Sequence, residues 1–251
     1  MQFCPAENFY PRILPLHSIL VMKKIALALA LLAAGFAPAF AQIITSWTFE
    51  TSLPATAGPF AAEVGTGSAL GLHAGASTYS SPVGNGSTHS FSSNTWAIGD
   101  YYQFQTATTG FSGIAVSWDQ TSSNTGPAGF KLAYSTDGTN FTDFASYNVI
   151  ANSATPIGAG AWTGATVNSA YRFNYDLSAI SALNSQAAVY FRLVDTNTMP
   201  AGAGSTFGAG GTNRVDNFTI SAIPEPSTYA LLLGFAGFAG ALLRRRRTAA
   251  I

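Results

Sequence analysis

The chain predicts an all-β fold, an antiparallel β-sandwich flanked by an N-terminal signal helix and a C-terminal transmembrane helix. Three observations predict it. Apolar and polar residues alternate with a period of two through the middle of the chain, turn-forming residues punctuate them at short spacing, and continuous uncharged apolar runs lie near the two ends.

Alternation is clearest in four places. Ile114, Val116 and Trp118 alternate with Ala115 and Ser117, and Phe130, Leu132 and Tyr134 with Lys131, Ala133 and Ser135. Val189, Phe191 and Leu193 alternate with Tyr190 and Arg192, and Phe218 and Ile220 with Asn217, Thr219 and Ser221. A strand sends successive side chains to opposite faces, so these segments read as half-buried strands. Further strands are expected at residues 43–50, 101–106, 141–149, 161–167 and 171–177. Asp137-Gly138, between Tyr134 and Phe141, marks a tight hairpin because glycine tolerates positive φ. One short helical turn is expected at 177–184, and the Gly/Ser/Thr/Ala-rich residues 51–95 and 197–213 are expected to be surface loops.

At the front, Met22-Lys23-Lys24 precedes an apolar stretch from Ile25 to Leu32, and Ala39-Phe40-Ala41 has the small-x-small pattern of signal-peptide cleavage. Residues 22–41 are therefore a signal peptide, and the mature chain starts at Gln42. Pro5, Pro11 and Pro15 break any helix ahead of it, so translation is expected to start at Met22, with residues 1–21 a spurious upstream extension. The one cysteine, Cys4, lies in that extension, which excludes disulfides, thiolate metal sites and a cysteine nucleophile from the mature chain.

At the back, Pro224-Glu225-Pro226 is followed by an uncharged apolar run, then by Arg244, Arg245, Arg246 and Arg247 close to Ile251. As a helix, residues 228–243 would reach roughly 24 Å, short of a ~30 Å hydrocarbon core. Snorkelling arginines and interfacial Thr228 and Tyr229 make a span feasible, with the basic cluster on the cytoplasmic side. This combination over residues 222–251 resembles the PEP-CTERM protein-sorting signal of Gram-negative bacteria. The resemblance implies export, transient anchoring in the inner membrane, and recognition of Pro224, Glu225 and Pro226 by an exosortase, a sorting protease. The destination it implies is the cell surface or extracellular matrix.

Between the two ends, residues 42–221 are long enough for one β-domain with a sizeable core. They carry four basic side chains, Lys131, Arg172, Arg192 and Arg214, against nine acidic ones, a net charge of −5. No basic stripe is present, which argues against nucleic-acid binding. The order Trp47-Thr48-Phe49-Glu50, Tyr134-Ser135-Thr136-Asp137-Gly138, Phe191-Arg192-Leu193 and Arg214-Val215-Asp216-Asn217-Phe218 resembles the jelly-roll domains of bacterial surface proteins, akin to carbohydrate-binding modules.

Candidate chemistry is sparse. Asp216 shares the parity of Phe218 and Ile220, so without a bulge it points to the core, where a carboxylate needs a partner. One solution is a structural Ca²⁺ held by Glu50, Asp216 and backbone carbonyls, as is common in related jelly rolls; the others are pairing with Arg214 or Arg192, or exposure at the sheet edge. Trp47, Trp96, Trp118 and Trp162, with Tyr101 and Tyr102, can stack on sugars or fill the core. Trp118 has inward parity, which leaves Trp96 and Trp162, in Gly-rich contexts, as the sugar-binding candidates. His73 and His89 are expected to be exposed loop residues. No Gly-x-Ser-x-Gly elbow and no Glu-x-x-x-Glu strand signature occurs. The leading expectation is a non-enzymatic surface or matrix protein associated with exopolysaccharide. The alternatives are a carbohydrate-binding module and a divergent jelly-roll hydrolase or lyase. Mass-spectrometric mapping of the cytoplasmic precursor is expected to return Met22 as its first residue; peptides from residues 1–21 would overturn that start.

Overall fold

Period-two alternation becomes twelve strands over residues 41–153 and 161–225, the part of the chain that the computed structural model describes. In chain order they are β1 (Gln42–Trp47), β2 (Phe60–Ala61), β3 (Gly67–Leu72), β4 (Tyr79–Ser80), β5 (Phe91–Ser93) and β6 (Tyr101–Thr106). There follow β7 (Phe111–Ser122), β8 (Gly129–Ser135), β9 (Thr142–Asn148), β10 (Arg172–Asp176), β11 (Val189–Asp195) and β12 (Asn213–Pro224). They form two antiparallel sheets packed as a sandwich. The first runs β10-β7-β12-β5-β4, with β1 also paired to β12; the second runs β2-β3-β6-β11-β8-β9. Two short 3₁₀ turns, Ser169–Tyr171 and Ser181–Leu183, are the helical elements among the described residues. No helix there is long and apolar enough to cross a membrane. The signal helix and the transmembrane helix expected from the sequence lie outside the described residues.

The inner faces meet in an aromatic core. Phe104 of the second sheet stacks on Phe218 of the first with ring centroids 3.6 Å apart and an interplanar angle of 1°. Trp47 packs edge-on against both, at 5.3 and 6.1 Å, and Trp118 lies 5.8 Å from Phe218. All four side chains are fully buried. The hairpin expected at Asp137-Gly138 joins β8 to β9: Gly138 has φ 73°, and the Asp137 carboxylate accepts the backbone N–H groups of Thr139 and Asn140.

Three expectations are corrected. Residues 51–95 are not loops throughout, because β2 to β5 lie within them; each is two to six residues long, and the backbone ladder rather than an apolar stripe holds the shorter ones. The described residues at 161–167 form no strand. They spend their backbone and indole groups on the loop at 83–86: Gly86 N–H donates to the Thr163 carbonyl and the Trp162 indole donates to that of Val83. Finally, β12 contains the bulge on which the parity of Asp216 hinged. Its register with β7 shifts between Asp216 and Thr219, and Asn217 adopts φ 52°. Val215 and Phe218 both enter the core, so Asp216 faces the opposite side, outside the sandwich core.

Phe218→Ala is expected to cost about 3–5 kcal/mol of unfolding free energy, since it removes the ring on which Phe104, Trp47 and Trp118 close. Urea unfolding followed by tryptophan fluorescence measures it, and a loss under 1 kcal/mol, roughly that of an ordinary surface substitution, would contradict the central role of this stack.

Candidate functional site

Alternation along β6 and β11 builds one outward face. Tyr102, Phe104 and Thr106 point inward from β6, and Val189, Phe191 and Leu193 from β11. Tyr101, Gln103, Gln105, Tyr190, Arg192 and Val194 are left on the outer face of the second sheet. The antiparallel register sets Arg192 opposite Gln103 on one side and Ala133 of β8 on the other. The guanidinium carbon of Arg192 lies 3.9 Å from the Tyr101 ring centroid and 3.6 Å from that of Phe141, so the cation sits between two aromatic faces. Its Nε donates to Gln103 Oε1 at 2.8 Å. Gly138 makes the hairpin turn that delivers Phe141 to this place. A Cβ there would come to 3.0 Å from the Tyr190 ring, a tight contact, and the φ of 73° favours glycine in its own right.

Partial burial lowers the pKa of Arg192 and Tyr101 opposes the shift, but a guanidinium stays protonated. Arg192 makes no salt bridge among the described residues; Lys131, on the neighbouring strand, is paired with Asp143 at 2.8 Å. Farther along β6, Gln105 borders a shallow depression of about 340 Å³, lined also by Thr66, Gly67, Ser68 and Ala187.

The first sheet closes its outer face instead. Asp216 and Asp119 are register partners on β12 and β7, and both are fully buried. Asp119 receives Arg172 through two bonds, at 2.8 and 2.9 Å, and the Asn217 amide. Asp216 accepts the Ser87 hydroxyl at 2.6 Å, the backbone N–H groups of Asn85 and Asn217, and the Asn217 amide. Glu50 is exposed and accepts the N–H of His89, farther along the same loop. Asp216 and Glu50 therefore share a loop without the arrangement expected of calcium ligands. The oxygens of Asp216 already face N–H and O–H hydrogens, and no group of three or more His, Cys, Asp or Glu side chains among the described residues is placed to hold a metal ion. Neither Arg214 nor Arg192 pairs with Asp216; its charge is met by neutral donors.

Both sugar-binding candidates are interior. Trp96 is 4% exposed, donates its indole N–H to the Ser93 carbonyl and packs on His73, Tyr102 and Phe130. Trp162 is 5% exposed and its indole holds the loop that covers Asp216. An indole enclosed on these contacts offers no open face to a sugar. His73, expected in an exposed loop, has a buried ring: Nδ1 lies 2.9 Å from Asp100 Oδ2, and Nε2 lies 3.0 Å from Ser93 Oγ. Asp100 is 27 residues away and gave no local cue. The connectivity is that of a Ser-His-Asp relay, but Ser93 is 1% exposed and its hydroxyl also meets Tyr102 Oη at 2.8 Å. A nucleophile so enclosed cannot reach a substrate, and the trio acts as a polar strut between β5, β6 and the loops. Arg192, Gln103 and Phe141 were missed as a unit; the outward parity of Arg192 beside Tyr190 was the available cue.

The described chain is thus an all-β protein with a two-sheet antiparallel sandwich and almost no helix. It carries the PEP-CTERM protein-sorting motif, matched over residues 222–247. That motif implies an exported, membrane-processed protein recognised by an exosortase. No curated protein matches the chain. Among similar solved structures are the CBM22-1–GH10 modules of xylanase 10B from Clostridium thermocellum, complexed with xylohexaose, at 15% identity, 72% of this chain, 28% of that chain and a TM-score of 0.42. A second is the K1 cleaved adhesin domain of Lys-gingipain from Porphyromonas gingivalis, at 13% identity, 72% of this chain, 97% of that chain and a TM-score of 0.40. A third is a CBM35 from Cellvibrio japonicus, at 16% identity, 61% of this chain, 91% of that chain and a TM-score of 0.31.

Burial pushes the Asp216 pKa up to about 7, against the donors of Ser87, Asn85 and Asn217, and nearby Asp119 adds to the rise. A carboxyl whose folded pKa lies above its ordinary value of 3.8 contributes stability that is fully present below that value and is lost as pH rises through about 7. Asp216→Asn is therefore expected to remove part of the fall in stability between about pH 4 and pH 7. Urea unfolding of both proteins across that window measures it; a wild-type minus variant difference that does not change with pH would contradict the assignment.

Proposed function

We propose that this is an exported, non-enzymatic surface or matrix protein whose sandwich binds polysaccharide through the outer face of its second sheet. The observation that carries this is the row of planar groups on that face: Tyr101, Gln103 and Gln105 on β6 beside Tyr190 and Arg192 on β11. Rings can lie against pyranose faces, while amide and guanidinium groups bond hydroxyls, and the strand rise spreads residues 101–105 over roughly 13 Å. An elongated row suits a polymer better than a small solute.

Residues 22–41 serve as the signal peptide, 42–221 as the mature jelly-roll domain, and 222–251 as the sorting tail with its membrane-spanning run at 228–243. Sorting through Pro224, Glu225 and Pro226 delivers the domain to the surface or matrix of a Gram-negative cell, where exopolysaccharide is the ligand within reach. The enclosed Ser93 favours binding over hydrolysis.

A polysaccharide pull-down and glycan-array screen tests this. Tyr101→Ala and Tyr190→Ala are each expected to weaken retention on the best ligand by about tenfold, roughly 1.4 kcal/mol. Failure of the wild-type protein to bind any polysaccharide would remove the binding role, leaving only the sorted domain.

A further inference from the structure

The cation on this face is singular. Lys131 is neutralised by Asp143 and Arg172 by Asp119, while Arg214 lies on β12 in the other sheet. Arg192 alone stands on the outer face of the second sheet without a carboxylate in ion-pair range among the described residues. Its placement is also defined. Tyr101 and Phe141 hold the guanidinium plane from two sides, and Gln103 takes the Nε edge. Among the described residues nothing bonds the Nη end, which can make a forked contact with two oxygens, the geometry by which arginine receives a carboxylate. Because the side chain is already fixed, an anion docking there loses little further rotamer entropy.

We propose that this face selects acidic polysaccharide, with the carboxylate of a uronic-acid unit received by the Nη end of Arg192 and neighbouring hydroxyls bonded by Gln103 and Gln105. This rests on the glycan-binding role of the same face. The net charge of −5 on residues 42–221 makes the specificity informative. A domain of that charge has no general attraction for a polyanion, so affinity for one reports a local contact.

The test uses the full chain in detergent, titrated calorimetrically with polygalacturonate, with the same polymer methyl-esterified, and with neutral xylan. The acid polymer is expected to bind at least about tenfold more tightly than its ester, with Arg192→Gln erasing that preference. Arg192→Lys, which keeps the charge but not the fork, is expected to retain only part of it. Equal binding of acid and ester by the wild type, or a preference that survives in Arg192→Gln, would overturn the proposal. Uncharged polymers that bind as well as the acid and are lost in Tyr101→Ala would overturn acid selection alone and leave the glycan face standing. No binding of any polymer would overturn both.

Discussion

Strand β12 carries the first sheet. It pairs with β7 on one edge and is shared by β5 and β1 on the other, so the direction of its side chains decides what the sandwich encloses. One backbone conformation sets that direction. Asn217, at φ 52°, is the extra residue of the bulge, and asparagine tolerates the left-handed region better than most side chains. Ahead of it Val215 enters the core and Asp216 faces out; after it Phe218 returns to the core and meets Phe104. The amide of Asn217 donates to both Asp119 and Asp216, so the residue that breaks the ladder also bridges the two buried carboxylates beside the break.

The two outer faces then resolve their charges in opposite ways. On the first sheet, Arg172, Ser87 and the backbone of the loop at 84–89 close over Asp119 and Asp216, and Asn85 and Asn168 exchange bonds to secure the cover. Buried carboxylates are tolerable there because their oxygens meet donors. On the second sheet no such cover forms over Arg192 among the described residues. Arg192 stands in register with Ala133, its plane lies between two rings, and among the described residues no carboxylate pairs with it. The carboxylates of the first sheet are thus enclosed by donors, whereas the guanidinium of the second is held by two rings and an amide.

Much of this architecture is legible in the sequence. The strands at 114–118, 130–135, 189–193 and 217–221 follow from alternation, and the β8–β9 turn follows from Asp137-Gly138. Strands β2 and β4 are two residues long, too short to show a period, and exist because neighbours supply a ladder. Segment 161–167 has apolar residues in a strand-like order, yet its hydrogen-bond partners come from a loop about 80 residues earlier. The site was harder to see. Trp96 and Trp162 sit in Gly-rich stretches that suggest exposure, but each indole N–H finds a buried carbonyl through the fold. Tyr101 was recognisable as an aromatic able to stack on a sugar. That Phe141 would join it around Arg192 depended on the hairpin geometry and on sheet order, neither of which is written locally.

The end of β12 reaches into the sorting tripeptide. Pro224 is still in register with Phe111, and the N–H of Glu225 donates to the carbonyl of Gly110 at 2.9 Å. The first two residues of the sorting tripeptide are therefore stitched to the sandwich. A protease that reads an extended peptide by its backbone needs those same groups free. Recognition of the tripeptide through its main chain would have to part these last ladder rungs from Phe111 and Gly110 first.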